Sequence, residues 1–152
     1  MRIAIGGDER NEVTDHVLEA LRKRGHELVS IVGPVGGRNE QWADVGREVA
    51  EAVSAGEADQ GVVFCWTGTG VSMAANKVRG ARAALCTDAE QARGARKWND
   101  ANVLAMSLRL TSAPLADEIL DAWFSTTELD PAEIPNIEKV KGSDARRRDY
   151  SV

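Results

Sequence analysis

The stretch Gly61-Val62-Val63-Phe64-Cys65-Trp66-Thr67-Gly68-Thr69-Gly70-Val71-Ser72-Met73-Ala74-Ala75-Asn76-Lys77 decides the fold of this chain. Residues 61–64 form an unbroken apolar run, which suits a strand covered on both faces of a parallel sheet rather than a half-exposed antiparallel one. Glycines at 68 and 70 then punctuate the chain, and a short helix is predicted over residues 71–76. Strand, glycine turn and helix in that order make one βα unit.

The same order repeats on both sides. Residues 2–6 read as a first strand ending in Gly6-Gly7-Asp8, after which Val13, Val17, Leu18 and Leu21 recur with helical spacing up to Gly25. Residues 27–32, rich in aliphatic side chains, make a second strand, and residues 33–40, with Pro34, Gly36 and Gly37, read as a loop. Residues 42–55 place Val45, Val49, Ala52 and Val53 on one helical face. Downstream, residues 81–85 form a fourth strand, 89–97 an exposed helix, 103–106 a fifth strand, and 114–124 a helix with Leu115, Ile119 and Leu120 facing inward. Repeated β-then-α order with right-handed crossovers predicts an α/β fold, a Rossmann-like doubly wound five-stranded parallel sheet with helices on both faces.

With 152 residues, positions 1–152 are expected to form a single domain. From residue 125 the apolar period fades and Pro131 and Pro135 interrupt, so 125–152 reads as a C-terminal tail that contacts a neighbouring subunit or stays mobile. No apolar run approaches the roughly 20 residues that span a bilayer. The N-terminus runs straight into a strand pattern without the features of a secretory signal, so a cytoplasmic location is the default expectation. The net charge of −5 offers no general attraction to nucleic acid, and the one basic cluster, Arg146-Arg147-Arg148, reads as a solvated tail. Cys65 and Cys86 lack the paired spacing of a zinc or dithiol site, His16 and His26 stand apart from the candidate pocket, and no metal or cofactor is expected.

In open parallel sheets ligands bind beyond the carboxyl ends of the strands. Gly7-Asp8-Glu9-Arg10, Cys65 through Ser72, and Trp98-Asn99-Asp100 are expected to converge there. Gly68 and Gly70 let neighbouring amides turn toward one point, and the helix that follows adds its positive end, so an anion fits. The loop lacks the third glycine of the dinucleotide fingerprint and the Gly-Lys-Ser/Thr ending of an NTPase loop.

Two blocks, Cys65 to Lys77 as quoted and Asn99-Asp100-Ala101-Asn102-Val103-Leu104-Ala105, resemble the signature segments of the ribose-5-phosphate isomerase B and galactose-6-phosphate isomerase family. The similarity runs from residue 2 to about 124 and fades in the tail. It implies an aldose-ketose isomerase working through an enediolate, with Cys65 as base beside Thr67, and with Gly68, Thr69, Gly70, Val71 and Ser72 as an anion hole. It also implies a small sugar-phosphate substrate and a homodimer with pockets at the subunit interface. The backbone donors would favour the thiolate a proton-abstracting cysteine needs.

The chain departs from the family at telling places. Trp98 stands where the family has a ring-opening histidine, Glu9 where it has a phosphate-binding histidine, and Trp66 where a glycine follows the cysteine. Trp42 falls in the segment matching the family's Asp-Tyr-Pro. The expected substrate is therefore one that needs no ring opening, such as a tetrose phosphate, with Asp8 and Asn99 holding hydroxyls, Trp98 beside them, and Arg10 or Arg109 meeting the phosphate. The alternatives are ordinary pentose-phosphate isomerisation and a non-catalytic sugar-phosphate-binding module on the same fold.

Overall fold

The computed structural model of the chain describes residues 1–146; Arg147, Arg148 and Tyr150 lie outside the described residues. Strands β1 (Arg2–Gly7), β2 (Glu27–Val32), β3 (Gln60–Cys65), β4 (Ala83–Leu85) and β5 (Val103–Ser107) form one sheet in the order β2-β1-β3-β5-β4. Every pairing is parallel. Between and after them lie α1 (Glu12–Lys23), α2 (Trp42–Ser54), α3 (Thr69–Ala75), α4 (Ala89–Asn99), α5 (Ala113–Ser125) and α6 (Ile134–Gly142). This is the doubly wound α/β arrangement that the repeated βα order predicts.

The sheet divides the core in two. Val62, Phe64, Leu104 and Met106 face α1, α4 and α5, whereas Val63, Cys65, Val103 and Ala105 face α2 and α3. That split follows from the period of two along a strand, and it assigns Cys65 to the α2–α3 side. The chain leaves β1 toward β2 in one direction and then crosses back to place β3 on β1's other side. The loops after β1 and β3 therefore diverge, and the crevice between them is the topological switch point where doubly wound sheets bind ligands.

One buried polar pair holds the back of the core together. The Trp123 Nε1–H donates to Gln60 Oε1 at 2.7 Å, with the indole fully buried. Trp123→Phe leaves that oxygen without its donor, and a loss of about 1–3 kcal/mol of stability is expected, read as a lower urea midpoint at unchanged slope.

One expectation needs correction. The helix after the glycine loop starts at Thr69, not residue 71, because Gly68 in the left-handed region stands at its N-cap and turns the chain directly into α3. Beyond residue 125, 3-10 turns flank α6 at Pro131–Glu133 and Ser143–Arg146, and Ile137 is buried against the rest of this chain. Pro131 and Pro135 lie in the first turns of helical segments, where a missing N–H costs nothing. The apparent interruptions are helix starts.

Candidate active site

The end of β3 is fixed by its neighbour. Leu108 N–H donates to the Cys65 carbonyl at 3.1 Å, Arg109 N–H to the Trp66 carbonyl at 2.9 Å, and the Ser107 hydroxyl to the same Trp66 carbonyl at 3.0 Å. Pairing with the β5 end thus continues into the loop and leaves residues 65 and 66 little freedom. Ser107 escaped the sequence reading, because its bond to Trp66 spans 41 positions and no local pattern announces it.

Gly68 then turns at φ +75°, ψ −10°, a conformation in which a side chain is strained. Ser72 N–H closes the first helical bond to the Gly68 carbonyl at 3.3 Å, so that amide is engaged. The amides of Thr69, Gly70 and Val71 precede that bond and have no acceptor within the helix by its geometry. The Thr67 and Thr69 hydroxyls stand 2.7 Å apart, forming a paired polar edge.

A cavity of about 330 Å³ opens here, lined by Asp8, Trp42, Cys65, Trp66, Thr67, Thr69 and Gly70. It gathers residues from the loop after β1, the end of β3 and the loop that follows it, and the first residues of α2 and α3 at the switch point. Cys65 is 5% exposed, so the thiol belongs to the floor of this cavity rather than to its rim. Cys86, by contrast, is buried on the other face of the sheet, donates to the Ala84 carbonyl at 3.7 Å, and burial followed by Asp88 pushes its thiol up to about 12. It is unsuited to proton abstraction near neutrality.

Burial pushes the Asp8 carboxyl above its usual range, and the neighbouring Glu9 charge adds to the rise against the pull of Asp8's own backbone amide. A carboxyl whose folded pKa is raised contributes stability below its unfolded pKa and loses it as pH climbs through the folded value. At neutral pH, then, ionised Asp8 opposes folding. Asp8→Asn is expected to melt at a higher temperature than the wild type near pH 7, with the gap closing in acid where both forms are neutral. Thermal melts across pH check this.

The remaining expected residues are not all brought together. The Arg10 side-chain Nε–H donates to Asp15 Oδ1 at 2.8 Å, so its charge is already answered. Arg109 is exposed beside Trp66. Trp98 and Asn99 end α4 and precede β5, whose first residue pairs with Gly61, whereas Cys65 pairs with Ser107 at the other end. Four strand residues, ~13 Å at the usual rise, separate those levels. Within one chain, Trp98, Asn99 and Asp100 therefore do not converge on Cys65. Trp98 and Asn99 instead line a second cavity of about 410 Å³ along β4 and α6. Asp100, in the left-handed region, is held by Lys141 at 2.8 Å and Arg82 at 3.3 Å. The three tryptophans, 42, 66 and 98, are 46%, 56% and 48% exposed, so none of them fills the core.

A thiol at the floor of a switch-point cavity that Asp8, Thr67 and Thr69 also line suits an α/β enzyme that moves a proton at carbon. The sequence model of the family described as Ribose/Galactose Isomerase matches residues 3–140, and the chain belongs to that family. D-erythrulose-4-phosphate isomerase of Pectobacterium atrosepticum is 34% identical over 92% of this chain and 93% of its own length. Ribose-5-phosphate isomerase B of Escherichia coli is likewise 34% identical, over 96% of this chain and 98% of its own. The solved structure of Clostridium thermocellum ribose-5-phosphate isomerase B superposes with a TM-score of 0.85 at 38% identity, covering 96% of this chain and 99% of that one.

Proposed function

We propose that this isomerase interconverts the aldose and ketose forms of a short sugar phosphate that stays open-chain, a tetrose 4-phosphate, with Cys65 as the base. The observation that carries the reading is the placement of Cys65 on the floor of the cavity that Asp8, Thr67 and Thr69 also line. The thiolate takes the proton from the carbon beside the carbonyl, and the C–H electrons become the carbon–carbon double bond of the enediolate. The displaced carbonyl electrons rest on oxygen, where the Thr69, Gly70 and Val71 amides hold the charge. The Cys65 thiol returns the proton to the adjacent carbon. Asp8, whose carboxyl holds a proton more readily than usual, accepts from the sugar hydroxyls and carries the proton that passes between the two oxygens. Arg109, exposed beside Trp66, meets the phosphate.

The four-carbon choice is supported by chemistry and by likeness. Trp98 occupies the position of the family's ring-opening histidine, and an indole cannot shuttle a proton; a tetrose 4-phosphate has no free terminal hydroxyl with which to close a furanose. The relative from Pectobacterium atrosepticum is named for such a ketose. The equal identity to the Escherichia coli protein favours a five-carbon substrate as the second reading. The enzyme works in the cytoplasm as a homodimer, in which Trp98 and Asn99, with residues 126–145, reach toward the partner's cavity. No helix among the described residues is long and apolar enough to cross a membrane.

Incubation with tetrose and pentose phosphates in deuterated water tests the reading. Solvent deuterium is expected at C1 or C2 of the tetrose phosphate. Thermal stabilisation by these compounds with no deuterium incorporated into any of them would replace the enzyme by a binding module.

A further inference from the structure

Building on the isomerase activity proposed for Cys65, we propose that Trp42 sets the length of the sugar phosphate the site accepts, admitting four carbons and resisting five. Its indole lines the same cavity as Cys65 and Asp8. A Cβ built on Gly70 would lie 2.8, 3.0 and 3.3 Å from Cε3, Cδ2 and Cζ3 of Trp42. The six-membered ring of the indole therefore packs directly on the bare Cα of the anion loop, at the residue whose amide holds the enediolate oxygen. The wall and the reacting oxygen's cradle are in contact, with no slack between them.

The wall is also anchored from behind. Trp42 is the first residue of α2, and one and two turns on, Val45 and Val49 are fully buried against the sheet. The fold sets where the indole's backbone stands, while nearly half of the residue remains open. Trp66 lines the cavity too, but its ring leaves from the loop rather than from a packed helix, which makes it the weaker stop. At about 330 Å³ the cavity is near the lower end of the roughly 300–1,000 Å³ of small-molecule sites. A fifth carbon must push the indole off Gly70 or draw the reacting carbon away from Cys65.

Two ketoses that cannot close a five-membered ring, erythrulose 4-phosphate and ribulose 5-phosphate, remove ring opening from the comparison. Solvent-deuterium exchange at C1 is measured as kcat/KM on each, with the full wild-type chain, Trp42→Ala and Trp42→Tyr. The wild type is expected to prefer the four-carbon ketose, and Trp42→Ala to raise the five-over-four ratio by about 10- to 200-fold, the scale of discrimination that one carbon supports. Trp42→Tyr, which keeps a ring, is expected to raise it by less, and its ratio decides should the alanine variant fail to fold. An unchanged ratio, or a wild type that prefers five carbons, overturns the role of Trp42 while leaving the isomerase standing. A wild type that exchanges neither ketose overturns both.

Discussion

Cys65→Ala is expected to lower kcat for proton exchange by about 10²–10⁴-fold, the usual worth of a positioned general base, while the protein stays folded. The substitution removes one sulfur atom from the cavity floor and no hydrogen bond, for the backbone carbonyl of residue 65 keeps its partner in Leu108. Loss of stability should therefore be small, on the order of 1 kcal/mol for a shortened side chain. Cys65→Ser is the sharper variant, because it keeps shape and polarity but substitutes a hydroxyl that does not ionise near neutrality. Both should abolish deuterium uptake to similar degrees. Cys86→Ala serves as the control: that thiol sits on the opposite face of the sheet, raised to about 12, and its loss should leave the rate unchanged. A Cys65→Ser enzyme that exchanges protons at the wild-type rate would remove the thiolate from the mechanism.

Gly68→Ala is the second large effect, and it acts through the backbone. At φ +75° an L side chain carries roughly 1–2 kcal/mol of strain. The new Cβ would also stand 2.5 Å from Leu85 Cδ1 and 2.9 Å from the Met106 carbonyl carbon. The leucine tip can move, but Met106 lies within the paired strand β5 and cannot. The loop must lift away, and the first-turn amides of α3 lose their aim. Expected results are a marked fall in melting temperature and a fall in kcat of about 10²–10³-fold, the cost of one misplaced oxyanion donor. Gly25→Ala isolates the strain term, since Gly25 has φ +81° with nothing within 4 Å of its added Cβ. It should lose stability without losing kcat. Equal kinetic behaviour of the two variants would mean that the glycine at 68 serves folding alone.

Much of the fold is legible from local chemistry. The apolar run of β3, the glycines after it and the 3.6-residue spacing in α1, α2 and α5 are short-range signals, and the structure reproduces these elements to within a residue or two. The grouping of Cys65, Trp66, Thr67, Thr69 and Gly70 around one cavity is legible in the same way, because strand end, turn and helix start are contiguous in the chain. Less legible is α4, expected to be exposed, which buries Ala92, Gly94 and Ala95. Small residues carry a weak apolar signal, yet they let a helix lie close to a sheet.

Local order alone leaves open which distant segments meet. Asp8 reaches Cys65 because β1 pairs laterally with β3, Gly7 opposite Phe64, and Trp42 reaches Gly70 because α2 packs beside α3 on the same face of the sheet. Trp98 and Asn99, equally promising as residues, fall at the opposite end of the sheet because α4 runs antiparallel to the strands. Turn propensity and side-chain period are encoded within a few positions, so the sequence by itself determined the elements and the glycine loop after β3. Strand order and helix placement are settled by burial of the whole core at once, which is why the tertiary structure alone decided that Trp42, and not Trp98 of the same chain, joins Asp8 in walling the cavity.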